Sequence, residues 1–219
     1  MKRLLFKNIV YMFTLNFFLT GCATMFIPEA KPINSSMIDG KGKQSLTLSE
    51  VAQGLTRTEF WNMDMFYISA SLVTPYSIEL SEKEKGQKNL DSNEQIERNI
   101  KKEKSKFTDL KTCFVVGFMV PGSAEAAQFK NWVFKVKMSD NQIHELKYLP
   151  TEQYPDIGKP SPVQALSWMN GGYVCSQKPL LLVNNFELHS IPQLIYGELG
   201  GPRVLKWEVD GARKESIKD

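Results

Sequence analysis

Cys113-Phe114-Val115-Val116-Gly117-Phe118-Met119-Val120 holds no charged or hydrogen-bonding side chain apart from its thiol. Eight residues rich in β-branched and aromatic types read as a central strand covered on both faces. Downstream, Trp132, Phe134, Val136 and Met138 alternate with Asn131, Val133, Lys135 and Lys137, the period of a half-buried strand. Ser139-Asp140-Asn141-Gln142 makes a turn, and Ile143 to Tyr148 runs back as the hairpin partner. Strand texture also marks 66–73 and 76–80, parted by Pro75, and then 172–176, 179–184, 185–191, 193–197 and 203–209. Turn punctuation falls at Asn170-Gly171-Gly172, Asn184-Asn185 and Gly200-Gly201-Pro202. About nine short strands and little helix predict an all-β fold, an antiparallel β-sandwich, for one domain over residues 46–210.

Two segments break that texture. Thr47-Leu48-Ser49-Glu50 has the spacing of a capping box and predicts a short N-terminal helix to about Leu55. Residues 81–106 carry 14 charged residues in 26, with Leu90, Ile96 and Ile100 as the only aliphatic ones, so they read as a solvated insertion. Ser92-x-x-Gln95 can cap a helix within it, through about Lys104. Residues 22–45, with Pro28, Pro32, Gly40, Gly42 and three lysines, read as a flexible tether, and 211–219 as a polar tail.

The first residues have a different logic. Lys2, Arg3 and Lys7 precede an apolar run from Ile9 to Phe18, about half the length a spanning helix needs and interrupted by Asn16. Leu19-Thr20-Gly21-Cys22 follows, and it resembles the lipobox of bacterial membrane lipoproteins. That resemblance covers residues 1–22 only. It implies that 1–21 is a signal peptide, that Cys22 carries a diacylglyceryl group, and that cleavage before Cys22 leaves an acylated amino terminus. Ala23 and Thr24 supply no aspartate after the cysteine, the inner-membrane retention signal of such proteins. The resemblance therefore implies the outer membrane, with the domain facing the periplasm. The alternative is a soluble secreted protein in which Cys22 lies near the cut by chance.

Without the leader, which holds three basic residues and no acids, 24 Lys and Arg stand against 24 Asp and Glu. A balanced chain has no electrostatic case for nucleic acid, and no polybasic segment follows Cys22, so membrane attachment would rest on the lipid. Outside the cytoplasm the remaining pair, Cys113 and Cys175, is expected to oxidise to a disulfide; two buried, unpaired thiols are the alternative. Gly171-Gly172-Tyr173-Val174-Cys175 resembles the Gly-x-Tyr-x-Cys of the immunoglobulin tyrosine corner, with Cys113 and Trp132 upstream in the matching order. Met169 departs from the aspartate usual there, and 44 residues after Cys175 exceed one closing strand. An immunoglobulin-like sandwich is the most this resemblance implies.

No catalytic motif is legible. His144 shares a strand face with Leu146 and Tyr148, and His189 with Glu187; neither has metal-ligand spacing, so no metal or cofactor is expected. Asp64, Glu79, Asp109, Asp156 and Glu198 have no sequence relation that pairs any two. Aromatic loops remain: Trp61 just before the first strand, and Tyr148 and Tyr154 around a proline-rich loop, are candidates for a recognition patch. Their alternative role is to close the end of the fold and pack over an edge. The expectation is a non-enzymatic envelope module that binds a protein, peptide or glycan. An envelope-polymer hydrolase with a carboxylate site assembled from distant strands is the alternative.

Overall fold

The computed structural model describes residues 30–40, 46–61, 66–109, 111–162, 166–194 and 201–210. The run around Cys113 forms β3 (Cys113–Pro121), between β2 (Phe66–Val73) and β7 (Ser167–Cys175). With β1 (Thr56–Trp61), β4 (Trp132–Met138), β5 (Ile143–Leu149), β6 (Lys159–Pro160), β8 (Phe186–Pro192) and β9 (Arg203–Trp207) they make one antiparallel sheet. Its order is β1-β2-β3-β7-β5-β4-β8-β9, with β6 beside β7.

A sandwich predicts two separately bonded sheets, but these ladders run without a break. The cause is β5, which pairs with β4 through Ile143–Leu146 and with β7 through Lys147–Leu149, so a single strand turns the corner. The outermost strands then meet: Arg57 Nε on β1 donates to Lys206 O on β9 at 2.9 Å, leaving the sheet nearly closed into a barrel. Phe114, Val116, Phe118 and Val120 of β3 point inward, and aromatic rings fill the interior. Phe118 lies 4.7 Å from Trp132, and Phe186 stacks on Trp207 at 5.2 Å. The Trp132 and Trp207 N–H groups donate to Ala126 O and Leu55 O, so neither indole is buried without a partner.

Cys113 and Cys175 are disulfide-bonded. They are direct register partners on neighbouring strands, with Cα atoms 4.1 Å apart, and lie on the outer face. In immunoglobulin domains the bridge crosses the core against the tryptophan. Here it sits in a separate outer cluster with Ile78 and Phe107, while Trp132 belongs to the interior, so the tyrosine-corner resemblance does not extend to the geometry. The outer cluster is roofed by a helical hairpin, α3 (Pro75–Asn89) and α4 (Asn93–Phe107), after two shorter helices, α1 (Ser35–Asp39) and α2 (Leu48–Leu55).

Several local expectations change. The predicted strand 76–80 is the start of α3: Thr74 caps it with a reciprocal Ser77 bond and Pro75 takes the first turn. The charged insertion is helical over a wider range, and Ser92 caps α4 by accepting from Gln95 N. The hairpin closes tightly at Gly86, where an added Cβ would lie 2.3 Å from Ile96 Cγ1. Residues 179–184 alternate in burial as a strand would, yet join no ladder among the described residues; of 193–197, residues 193–194 form a bend and the rest lie outside the described set. Asn170-Gly171-Gly172 is not a turn but the middle of β7, and the glycines make room for rings: a Cβ on Gly172 would sit 2.7 Å from Tyr148.

Part of the expected tether is packed. Ile33 is fully buried, its N–H donating to Glu208 O at 2.8 Å and its carbonyl accepting from Asp210 N at 2.7 Å. An isolated apolar residue carries no period, so nothing in the sequence marks this contact. The α2 helix is as predicted, with the Thr47–Glu50 capping box formed in both directions. The barrel thus has a near end, where residues 30–40 join and β1, β3 and β8 begin. At the far end β1, β3 and β8 finish and β2, β7 and β9 begin.

Candidate functional site

The far end is held by one carboxylate. Asp156 accepts from Phe129 N at 2.6 Å and Lys130 N at 3.2 Å, capping the short 3-10 turn Phe129–Asn131 from a loop 27 residues away. Asn170 Nδ2 on β7 donates to the same carboxylate at 3.0 Å and to Ala127 O at 2.8 Å. Two loops, 122–131 and 150–158, are thereby tied to each other and to the sheet. Their contact is close: a Cβ on Gly158 would lie 2.2 Å from Ala124 O.

Tyr148 and Tyr154 are brought together here, but as parts of the frame. The Tyr148 hydroxyl donates to Tyr154 O, and its ring stacks on Phe129 at 4.5 Å. Tyr154 meets Tyr173 edge-on at 5.6 Å. Burial raises the Tyr154 phenol, and burial with the Asp156 charge raises Tyr148, so both stay neutral at physiological pH. Trp61 ends β1 opposite Phe66 at this same end; its ring lies outside the described residues.

The far end exposes apolar side chains on the tied loop 150–158 and beside it. Leu166 is 88% exposed, Ile157 55% and Leu194 40%. Leu166 also has φ 63, a left-handed conformation that a leucine pays for in steric strain. Its carbonyl accepts from Gly122 N at 3.2 Å, which fixes it to the 122–131 loop. Sequence reading singled out the tyrosines and missed Asp156, Asn170 and Leu166. Asp156 acts on N–H groups of a distant loop, and no local spacing records that.

Groups with chemical potential are scattered. Glu59 faces the interior opposite Ile68; burial raises its carboxyl and the Arg203 charge opposes that. Its Oε2 and the buried Ser190 Oγ have no hydrogen-bond partner among the described residues. His189 pairs with Glu187 at 2.8 Å, Lys206 reaches the same carboxylate at 3.3 Å, and the His189 hydrogen bond holds Glu187 below the usual range. His144 lines a hollow at the near end. Among the described residues no three His, Cys, Asp or Glu side chains gather as a metal set, and no helix is long and apolar enough to cross a membrane. Cys22 and the rest of the leader lie outside the described residues. Comparison with protein-family models, curated proteins and solved structures finds no match to this chain.

Proposed function

We propose that the protein is a lipid-anchored, non-enzymatic binding module of the bacterial outer envelope. Acyl chains on Cys22 hold it to the outer membrane facing the periplasm, and the far-end loops engage an envelope protein, peptide or glycan. Leu166 carries the reading: a leucine both 88% exposed and at φ 63 is unfavourable twice over for the free fold, and contact with a partner relieves the exposure. Its carbonyl is already bonded to Gly122 of the loop that Asp156 ties down, so little backbone entropy is lost at Leu166 on binding. In this role the barrel acts as an immunoglobulin-like sandwich does, as a frame presenting loops from one end.

The hydrolase reading has one observation on its side, the raised carboxyl of Glu59. Among the described residues the charge that acts on it is a cation, Arg203, rather than a second carboxylate, and aromatic side chains occupy the interior. The anchor is tested by labelling with radioactive palmitate with and without Cys22→Ala; equal labelling of both defeats it. The contact surface is tested by cross-linking and capture from envelope extracts. Ile157→Ser/Leu166→Ser is expected to lose partners that the wild type and a near-end Leu181→Ser/Val183→Ser variant retain. Identical partner lists for all three defeat the far-end surface.

A further inference from the structure

Leu180, Leu181, Leu182 and Val183 cross the near end of the barrel and divide by face. Leu182 is 9% exposed and Leu180 packs against the core, while Leu181 is 76% and Val183 52% exposed. Ile143, at the tip of the β4–β5 hairpin, is 60% exposed. A hollow of about 330 Å3 separates the segment from the hairpin, lined by Met138, His144 and Leu181 among others. Its rim carries one lysine, Lys178, and one aspartate, Asp140, so charge selects no polyanion; polar and apolar groups share the lining, and the exposed apolar surface is that of Leu181, Val183 and Ile143.

Where the chain enters decides what covers this surface. Lys31 O is held by Arg57 Nη2 at 2.8 Å and Ile33 is bonded to the strand end beyond β9, both at the near end. Only eight residues separate Lys31 from Cys22. Fully extended, that leash reaches no more than about 30 Å. The nine residues of β3 are themselves about 30 Å long, so turning the far end to the bilayer would use the whole leash.

We infer that the near end docks on the bilayer surface, with Leu181, Val183 and Ile143 at the boundary between headgroups and acyl chains. This rests on the lipid-anchor reading of Cys22. The acyl chains supply the affinity, and the short leash keeps the apolar face at high local concentration beside the membrane, so three side chains suffice to set orientation. The far-end loops then point into the periplasm.

The test uses the full lipidated chain in phosphatidylethanolamine–phosphatidylglycerol vesicles. Leu181→Cys, Val183→Cys and, at the far end, Leu166→Cys are each labelled with an environment-sensitive dye, after flotation has shown that the protein is vesicle-bound. Brominated lipid is expected to quench the dyes at 181 and 183 several-fold more than the dye at 166. A floated protein whose 181 and 183 dyes are quenched no more than the 166 dye overturns the orientation and leaves the anchor standing. Blue-shifted but unquenched dyes at 181 and 183 overturn it too, and show that a second copy or another protein covers the surface. Protein absent from the floated fraction overturns both readings.

Discussion

At the near end of the barrel a buried cation gathers carbonyl oxygens; at the far end a carboxylate gathers N–H groups. Arg57, 8% exposed, donates to Gly54 O, Thr56 O and Lys31 O at 2.8 Å and to Lys206 O at 2.9 Å, with its guanidinium 5.7 Å from the Trp207 ring. Two of those carbonyls belong to the last turn of α2 and its C-cap, which a helix leaves unpaired. Asp156 does the converse for the first N–H groups of a 3-10 turn. The near end adds the disulfide and the helical roof, whereas the far end, among the described residues, is held by hydrogen bonds and ring contacts without a covalent link. Stability is therefore concentrated where residues 30–40 join, and the loops proposed for recognition occupy the end that can be altered at smaller cost.

The sharpest way to break this contrast is the disulfide. Cys113→Ala/Cys175→Ala opens a link between residues 62 apart in sequence, and the chain-entropy model puts the loss at about 4 kcal/mol. In a domain of this size that lowers Tm by roughly 8–15 °C. Because Ile78 and Phe107 rest on the bridge, limited proteolysis is expected to cut within 81–106 earlier in the variant. A Tm loss smaller than that of a far-end variant would refute the idea that the near end carries the stability.

Arg57→Ala comes next, at about 3 kcal/mol, because it leaves buried carbonyl oxygens without donors and removes a cation from an aromatic face. Urea unfolding measures it. Arg57→Lys is expected to recover only part, since an ammonium cannot reproduce the guanidinium fork. Asp156→Ala is smaller, about 2 kcal/mol, the upper range for a lost cap. It separates the two ends by a different readout: capture of far-end partners fails while dye quenching at Leu181→Cys on vesicles is unchanged. Loss of both together would mean that the ends are not independent.

How much of this was legible follows from the range of each interaction. The β3 run, the 132–148 hairpin and the Thr47 capping box depend on neighbours within a few residues, and the structure has them where the pattern put them. Pairing of Cys113 with Cys175 was expected from parity and from the compartment that the lipobox resemblance implies, but its place on the outer face depends on register, which the Gly-x-Tyr-x-Cys pattern does not specify. Residues 76–80 carried strand-like residue types, yet Thr74 and Pro75 just before them are helix-start signals, and the cap prevailed. Closure into a barrel depends on β5 changing partners at Lys147, a residue with no unusual local feature. Asp156 and Ile33 act over 27 and more than 170 residues, beyond any local pattern.

The smallest expected effect tests whether the far-end interior is a reaction site or a strained closure. Glu59 is half-buried with its carboxyl raised above the ordinary 4.5 by burial, against the pull of Arg203. A raised acid holds its proton more tightly in the folded than in the unfolded chain, so its protonated form favours folding. Stability is then highest below the ordinary glutamate range and falls as pH rises through the folded value, after which the penalty is constant. Glu59→Gln removes that fall. At neutral pH its Tm is expected to exceed that of the wild type by no more than about 2–4 °C, the worth of ~1 kcal/mol in a domain of this size, because the carboxylate is partly solvated. Below pH 4.5 the two proteins should converge. Capture of far-end partners is expected to be the same for both. A variant that is less stable than the wild type at neutral pH would show that the charged carboxylate is held by favourable contacts. The raised carboxyl would then no longer speak for an acid at this position, and the one observation favouring the hydrolase reading would be gone.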